Sequence, residues 1–257
     1  MLHPDQILQF IQDGYIKLEN AFPAEWAEEG RSILWKELNL DPNAPSTWKQ
    51  PVVYLGERTE SVFIRAANTP LLQEAFDQLV GKDNWQKKES LGSFPIRFPC
   101  ANPSNDTGWH VDASFPGLDA QNYLEWRINI NSKARGLLML FLFSDVGEKD
   151  APTLLQVGSH LKIARILQKE GPEGLSFLEL AKRIQDLPEQ PTAEATGKAG
   201  TVFLCHPFLI HAAQQHRGAV PKFMAQPALF TKSDFILEKN HRERCPVERA
   251  IHLAIGH

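Results

Sequence analysis

The sequence predicts a mainly β fold, a β-sandwich or jelly roll buttressed by helices. Three observations predict it. Helical spacing of apolar residues dominates about the first 90 positions and returns only in one later insertion. From Leu91 onwards the apolar segments are short and punctuated by Pro and Gly. The run Gly-Leu-Leu-Met-Leu-Phe-Leu-Phe at 136–143 has no polar side, as a strand covered on both faces requires.

The helices come first. Ile7, Leu8, Phe10 and Ile11 share one helical face, and Gly14 ends it. A second helix starts near Pro23 and carries Trp26, Ile33, Leu34 and Leu38 on one side. A third has Thr69 as N-cap and Pro70 at its first position, an apolar face from Leu71 to Val80, and Gly81 as its stop. Strands are expected at 91–98, 109–115, 124–131, 136–143, 153–157, 200–205, 208–212 and 223–230. Residues 161–196 interrupt them with one helix around Leu175 to Ile184 and a Pro-containing loop.

The chain reads as a single domain over 1–257. Residues 1–90 are a helical buttress, 91–231 the β core, and 232–257 a C-terminal extension. The insertion at 161–196 reads either as a lid over a site or as surface decoration.

Composition narrows the function. The net charge is -4, with 42% hydrophobic and 23% charged residues, which suits a globular enzyme and lacks the basic bias of a nucleic-acid binder. The longest apolar run is far shorter than a membrane span. Three scattered cysteines, Cys100, Cys205 and Cys245, read as reduced thiols, and no signal peptide precedes the first helix. A cytoplasmic protein acting on a small-molecule substrate, with neither nucleic acid nor membrane as partner, is the expectation.

Chemistry concentrates at Gly108-Trp109-His110-Val111-Asp112. On a strand, His-x-Asp puts an imidazole and a carboxylate on one face, two corners of a metal site. The pattern alone is weak: nine His and 31 acidic residues yield about one His-x-(Asp/Glu) by chance. Indeed His3-Pro4-Asp5 and His241-Arg242-Glu243 also occur, the first at a helix start and the second in a charged stretch. A second segment strengthens the case. In His206-Pro207-Phe208-Leu209-Ile210-His211, an apolar strand carries His211, whose ring nitrogens need a metal or a backbone carbonyl as partner. His206, at the turn, is the competing ligand. Two histidines and one carboxylate form the facial triad of non-haem iron(II) oxygenases.

The HVD segment, the HPFLIHAA segment, Gly158-Ser159-His160 and the opening QFIQDGYIKLENAF together resemble the phytanoyl-CoA dioxygenase family of Fe(II)/2-oxoglutarate oxygenases over nearly the whole chain. The resemblance implies a double-stranded β-helix (jelly roll, cupin-like) core. It implies Fe(II), 2-oxoglutarate and O2 as cofactor and cosubstrates, His110, Asp112 and His211 as ligands, and a structural role for His160. It also implies a basic residue eleven positions after the distal histidine, usually arginine, gripping the far carboxylate of 2-oxoglutarate. That position holds Lys222, which keeps the charge but not the guanidinium fork. Arg217, Arg97 and Thr153 are further candidates for the same anchor. The implied activity is oxidation, most simply hydroxylation, of an unactivated C–H bond, with succinate and CO2 released. Family members include tailoring enzymes for natural products such as mycosporine-like amino acids. An acyl-CoA hydroxylase and a cupin-type metal enzyme without 2-oxoglutarate are the alternatives, and a binding protein that keeps the fold is a third.

Overall fold

The strand Arg135–Leu142 explains why its sequence has no polar side. Leu138, Leu140 and Leu142 face one apolar cluster with Leu155, Phe203, Leu209 and Met224. Leu137, Met139, Phe141 and Phe143 face the other, among the helices. Side chains alternate across a strand, so both faces of this one are covered. A computed structural model describes every residue except 239, 241, 242 and 257. His241 and Arg242 of the His241-Arg242-Glu243 triplet therefore lie outside the described residues.

In chain order the elements are α1 (Pro4–Asp13), β1 (Tyr15–Leu18), α2 (Ala24–Leu38), β2 (Val52–Leu55), α3 (Ser61–Ala67), α4 (Pro70–Val80), β3 (Phe94–Arg97), β4 (Arg127–Ile128), β5 (Arg135–Leu142), β6 (Leu154–Gln156), α5 (Ser159–Leu167), β7 (Leu175–Ser176), α6 (Phe177–Gln185), β8 (Thr192–Glu194), β9 (Val202–Cys205), β10 (His211–Ala212), β11 (Met224–Ala225), β12 (Ala228–Phe230) and α7 (Pro246–Ile255). The larger sheet runs β1-β9-β5-β11, with β12 also on β5. The smaller runs β10-β6-β8. The two sheets close on the Leu138–Leu155–Leu209 cluster as a double-stranded β-helix, with the helices on the outer face of the larger sheet. No helix among the described residues is long and apolar enough to cross a membrane.

The predicted helix ends recur. Gly14 closes α1 at φ 86°, its N–H bonded to the Phe10 carbonyl at 3.0 Å. A side chain there would meet His160 Nδ1 at 2.5 Å. Thr69 caps α4, its hydroxyl accepting the Leu72 N–H at 3.3 Å.

The differences lie mostly in the strands and the insertion. The expected strands 109–115 and 208–212 shrink: the first keeps the isolated bridges His110–His211 and Phe115–Arg127, and the second keeps the two-residue β10, paired with β6 on one side and with His110 on the other. Segment 124–131 opens with a 3-10 turn at Tyr123–Glu125 before the two-residue β4. The insertion holds α5 as well as α6, and its β8 pairs with β6, so it completes the smaller sheet as well as covering the site. Two further helices escape the sequence pattern. α3 is only seven residues long, and α7, in the C-terminal extension, buries Val247, Ala250 and Ile251.

Candidate active site

His110 and His211 face each other as one antiparallel rung. His110 N–H donates to the His211 carbonyl at 3.0 Å, and His211 N–H donates back at 2.9 Å. The rung joins the segment after β3 to β10 and sets the two rings 4.4 Å apart. Each imidazole is then locked by the same device. His110 Nδ1 donates to the Gly108 carbonyl at 2.8 Å, and His211 Nδ1 to the Leu209 carbonyl at 3.0 Å. With both Nδ1 atoms committed, both Nε2 atoms carry lone pairs, and these converge on Asp112 Oδ1 at 3.7 Å each.

The protonation states suit a cation. Burial, together with the neighbouring His110, pulls His211 down to about 4, so it is neutral at pH 7. Burial pushes Asp112 upward, but Arg135 and the two histidines outweigh it and hold the carboxyl well below its usual range. Two imidazoles and one carboxylate, with donor atoms within 4.8 Å of one another, fit a divalent metal of the non-haem iron type.

His206 is occupied elsewhere. Its Nδ1 accepts the Phe208 N–H at 3.1 Å, its Nε2 faces the Val247 carbonyl at 3.4 Å, and its ring lies 4.8 Å from that of His160. His160 in turn bonds the Ile11 carbonyl at 3.0 Å. These two histidines fasten α1, α5 and α7 to the barrel.

The triad lies in a cavity of about 780 Å³, within the range of small-ligand sites. Lys222 is buried beside it, its ammonium donating to the Ala151 carbonyl at 2.5 Å. Burial first, then the charge of Arg97, lowers its pKa to about 7, against a smaller opposing pull from Asp106. Arg97 lines the cavity but is engaged. Its guanidinium donates to Asp106 at 2.5 Å and to Ser104 at 3.2 Å, and Asp106 also takes the Tyr54 hydroxyl. Thr153 lines the same cavity, its hydroxyl 3.6 Å from Met224 Sδ. Arg217 requires correction. It is exposed on the loop that hydrogen-bonds Lys149, and it is not among the residues lining the cavity.

Several cavity residues went unforeseen. Arg135 Nη1 holds Asp112 Oδ2 at 2.8 Å. Tyr123 and Phe177 wall the site, the Phe177 ring 5.6 Å from that of His110. Gln226 approaches His211 Nε2 at 3.3 Å. On α6, Phe177, Ala181 and Gln185 recur every four residues on the face over the cavity. Only Arg135 left a trace in the sequence, as a lone cation opening an otherwise apolar buried strand.

The profile of the phytanoyl-CoA dioxygenase (PhyH) family matches residues 10–224. No characterised protein matches the sequence. Among solved structures, the fold resembles the non-haem α-ketoglutarate-dependent epimerase SnoN from nogalamycin biosynthesis, with TM-score 0.57 and 15% identity over 88% of this chain and 80% of that one. EctD from S. alaskensis, with iron bound, gives 0.56 and 19% over 90% and 76%. HygX from Streptomyces hygroscopicus, with nickel and 2-oxoglutarate bound, gives 0.53 and 16% over 90% and 87%. The profile spans most of the chain, the barrel is shared, and the donor set suits the metal: the chain belongs to the phytanoyl-CoA dioxygenase family and is a non-haem iron, 2-oxoglutarate-dependent enzyme.

Proposed function

We propose that His110, Asp112 and His211 hold iron(II), that Lys222 holds the far carboxylate of 2-oxoglutarate, and that the enzyme hydroxylates an unactivated C–H bond of a small metabolite. One observation carries this reading: both histidines spend Nδ1 on a carbonyl two residues back, leaving two Nε2 lone pairs aimed at one carboxylate oxygen. Iron(II) with 2-oxoglutarate and O2 supplies an oxidant strong enough for such a bond, at the cost of succinate and CO2.

The chain's own residues do the rest. Among the described residues the Lys222 ammonium hydrogen-bonds a carbonyl alone, whereas the charge of Arg97 is already answered by Asp106. That difference favours Lys222 over Arg97 as the anchor, with Thr153 as a neighbouring hydroxyl. The α6 face, Tyr123 and Phe177 form an apolar and aromatic wall that orients a substrate and limits water. Cavity size supports a small-metabolite substrate, as does the HygX structure with hygromycin B bound. Natural-product tailoring, as of mycosporine-like amino acids, is one such setting. Of the three cations lining the cavity, Arg97 and Arg135 are paired with Asp106 and Asp112, which disfavours an acyl-CoA with its several phosphates. The test is Fe(II)- and O2-dependent succinate release across a metabolite panel. A substrate that stimulates release in the wild type but not in Lys222→Ala supports the reading. Substrate oxidation that proceeds without succinate, and is unchanged by Lys222→Ala, points to a cupin-type enzyme instead.

A further inference from the structure

The Asp112 carboxylate is gripped on its far side. Arg135 Nη1 donates to Oδ2 at 2.8 Å, while Oδ1 alone faces the two Nε2 atoms. Both partners are largely withdrawn from solvent, with side chains 11% and 14% exposed. The Tyr123 hydroxyl accepts the Ala113 N–H at 3.2 Å, lines the same cavity as Asp112, and has its pKa pushed up by burial and then by the Asp112 charge.

Arg135 reaches this place over a strained turn. Ser132 and Ala134 sit at φ 46° and 66°, in the left-handed region that costs a non-glycine residue about 1 kcal/mol or more. The turn is clamped by Arg135 N–H to the Ser132 carbonyl at 3.0 Å and by the Ser132 hydroxyl to the Arg135 carbonyl at 2.8 Å. The fold thus accepts strain to put a cation at the head of a strand otherwise apolar and fully buried. A buried ion pair is not needed for stability, since apolar residues of similar volume serve as well.

We propose that Arg135 is a positioning residue for the metal centre: by holding Oδ2 it presents Oδ1 of Asp112 alone to a divalent cation, with Tyr123 as a second support. The terminal torsion of an aspartate is broad, so an unheld carboxylate would turn and offer both oxygens. Arg135 also cancels the carboxylate charge, so a bound dication keeps its full charge for an anionic partner. The inference rests on placing the metal at the triad.

Calorimetric titration of the metal-free full chain with Co(II), an oxygen-stable probe, tests it, with thermal unfolding recorded for every variant. The wild type binds one Co(II), and Arg135→Gln binds it 10- to 100-fold more weakly, the usual reach of a partner that orients a ligand. Arg135→Lys falls between the two, and decides alone should Arg135→Gln fail to fold. In Asp112→Ala, added formate stands in for the lost carboxylate. It tightens Co(II) binding there and fails to do so in Asp112→Ala/Arg135→Gln, a difference that a merely structural arginine would not produce. Wild-type affinity in both Arg135 variants, or equal formate rescue with and without Arg135, overturns the role of Arg135. A wild type that takes up no Co(II), or His211→Ala that binds as tightly as wild type, overturns the triad assignment and this inference with it.

Discussion

Arg97 and Lys222 exchange both backbone hydrogen bonds, at 3.1 and 2.8 Å, so two cationic side chains rise from one rung into one cavity. Asp106 neutralises Arg97, which leaves Lys222 as the group that must change state to meet an anion.

The affinity for 2-oxoglutarate therefore depends on pH. Lys222 titrates near 7 in the free protein, below its usual 10.5. Below pH 7 it is already charged, and the anion binds without proton uptake. Above pH 7 the bound anion must draw in a proton, so affinity falls by up to tenfold per pH unit until the pKa of the complex is reached. Calorimetry in buffers of different ionisation enthalpy reads this uptake directly. Lys222→Arg, charged throughout, flattens the slope, and Lys222→Ala weakens binding at every pH.

The same shift bears on stability. Folding lowers the pKa of this base, so the folded state binds fewer protons between about pH 7 and 10.5. The cost of burying Lys222 is therefore fully present below pH 7 and is relieved as pH rises through that window. Thermal unfolding of the ligand-free protein across pH 7 to 10, compared with Lys222→Met, shows the wild type gaining on the variant as pH rises.

His206 and His211 separate structure from chemistry. His211→Ala abolishes metal binding while leaving the fold largely intact. His206→Ala removes a fully buried ring and its bond to Phe208, which costs about 2–4 kcal/mol, and leaves one metal per chain. Metal content and melting temperature, measured on both variants, check the division.

The roof of the cavity sets which substrate enters. Ala181 lies between Phe177 and Gln185 on the covering face of α6. Ala181→Trp fills the substrate side, so substrate-stimulated succinate release falls by at least tenfold while metal and 2-oxoglutarate affinities stay within about twofold.

Much of this was legible in the residues. Apolar runs without a polar side located β5 and β9, because only a doubly covered strand tolerates them. The spacing of His110 and Asp112 proposed two ligands, and the apolar setting of His211 proposed the third. The rim escaped, because the rung joining His110 to His211 is made by backbone groups that no side-chain pattern reports. Arg135 escaped because its position depends on two left-handed residues, Ser132 and Ala134, that carry no glycine signal. Arg217 was a proximity argument in sequence, and a loop turned it outward.

The most direct test of the central claim is an anoxic calorimetric titration of the metal-free protein with Fe(II) and then with 2-oxoglutarate, in the wild type and in His211→Ala. The account predicts one Fe(II) per chain, 2-oxoglutarate binding that tightens once the metal is present, and loss of both in the variant. Undiminished Fe(II) binding by His211→Ala would contradict it.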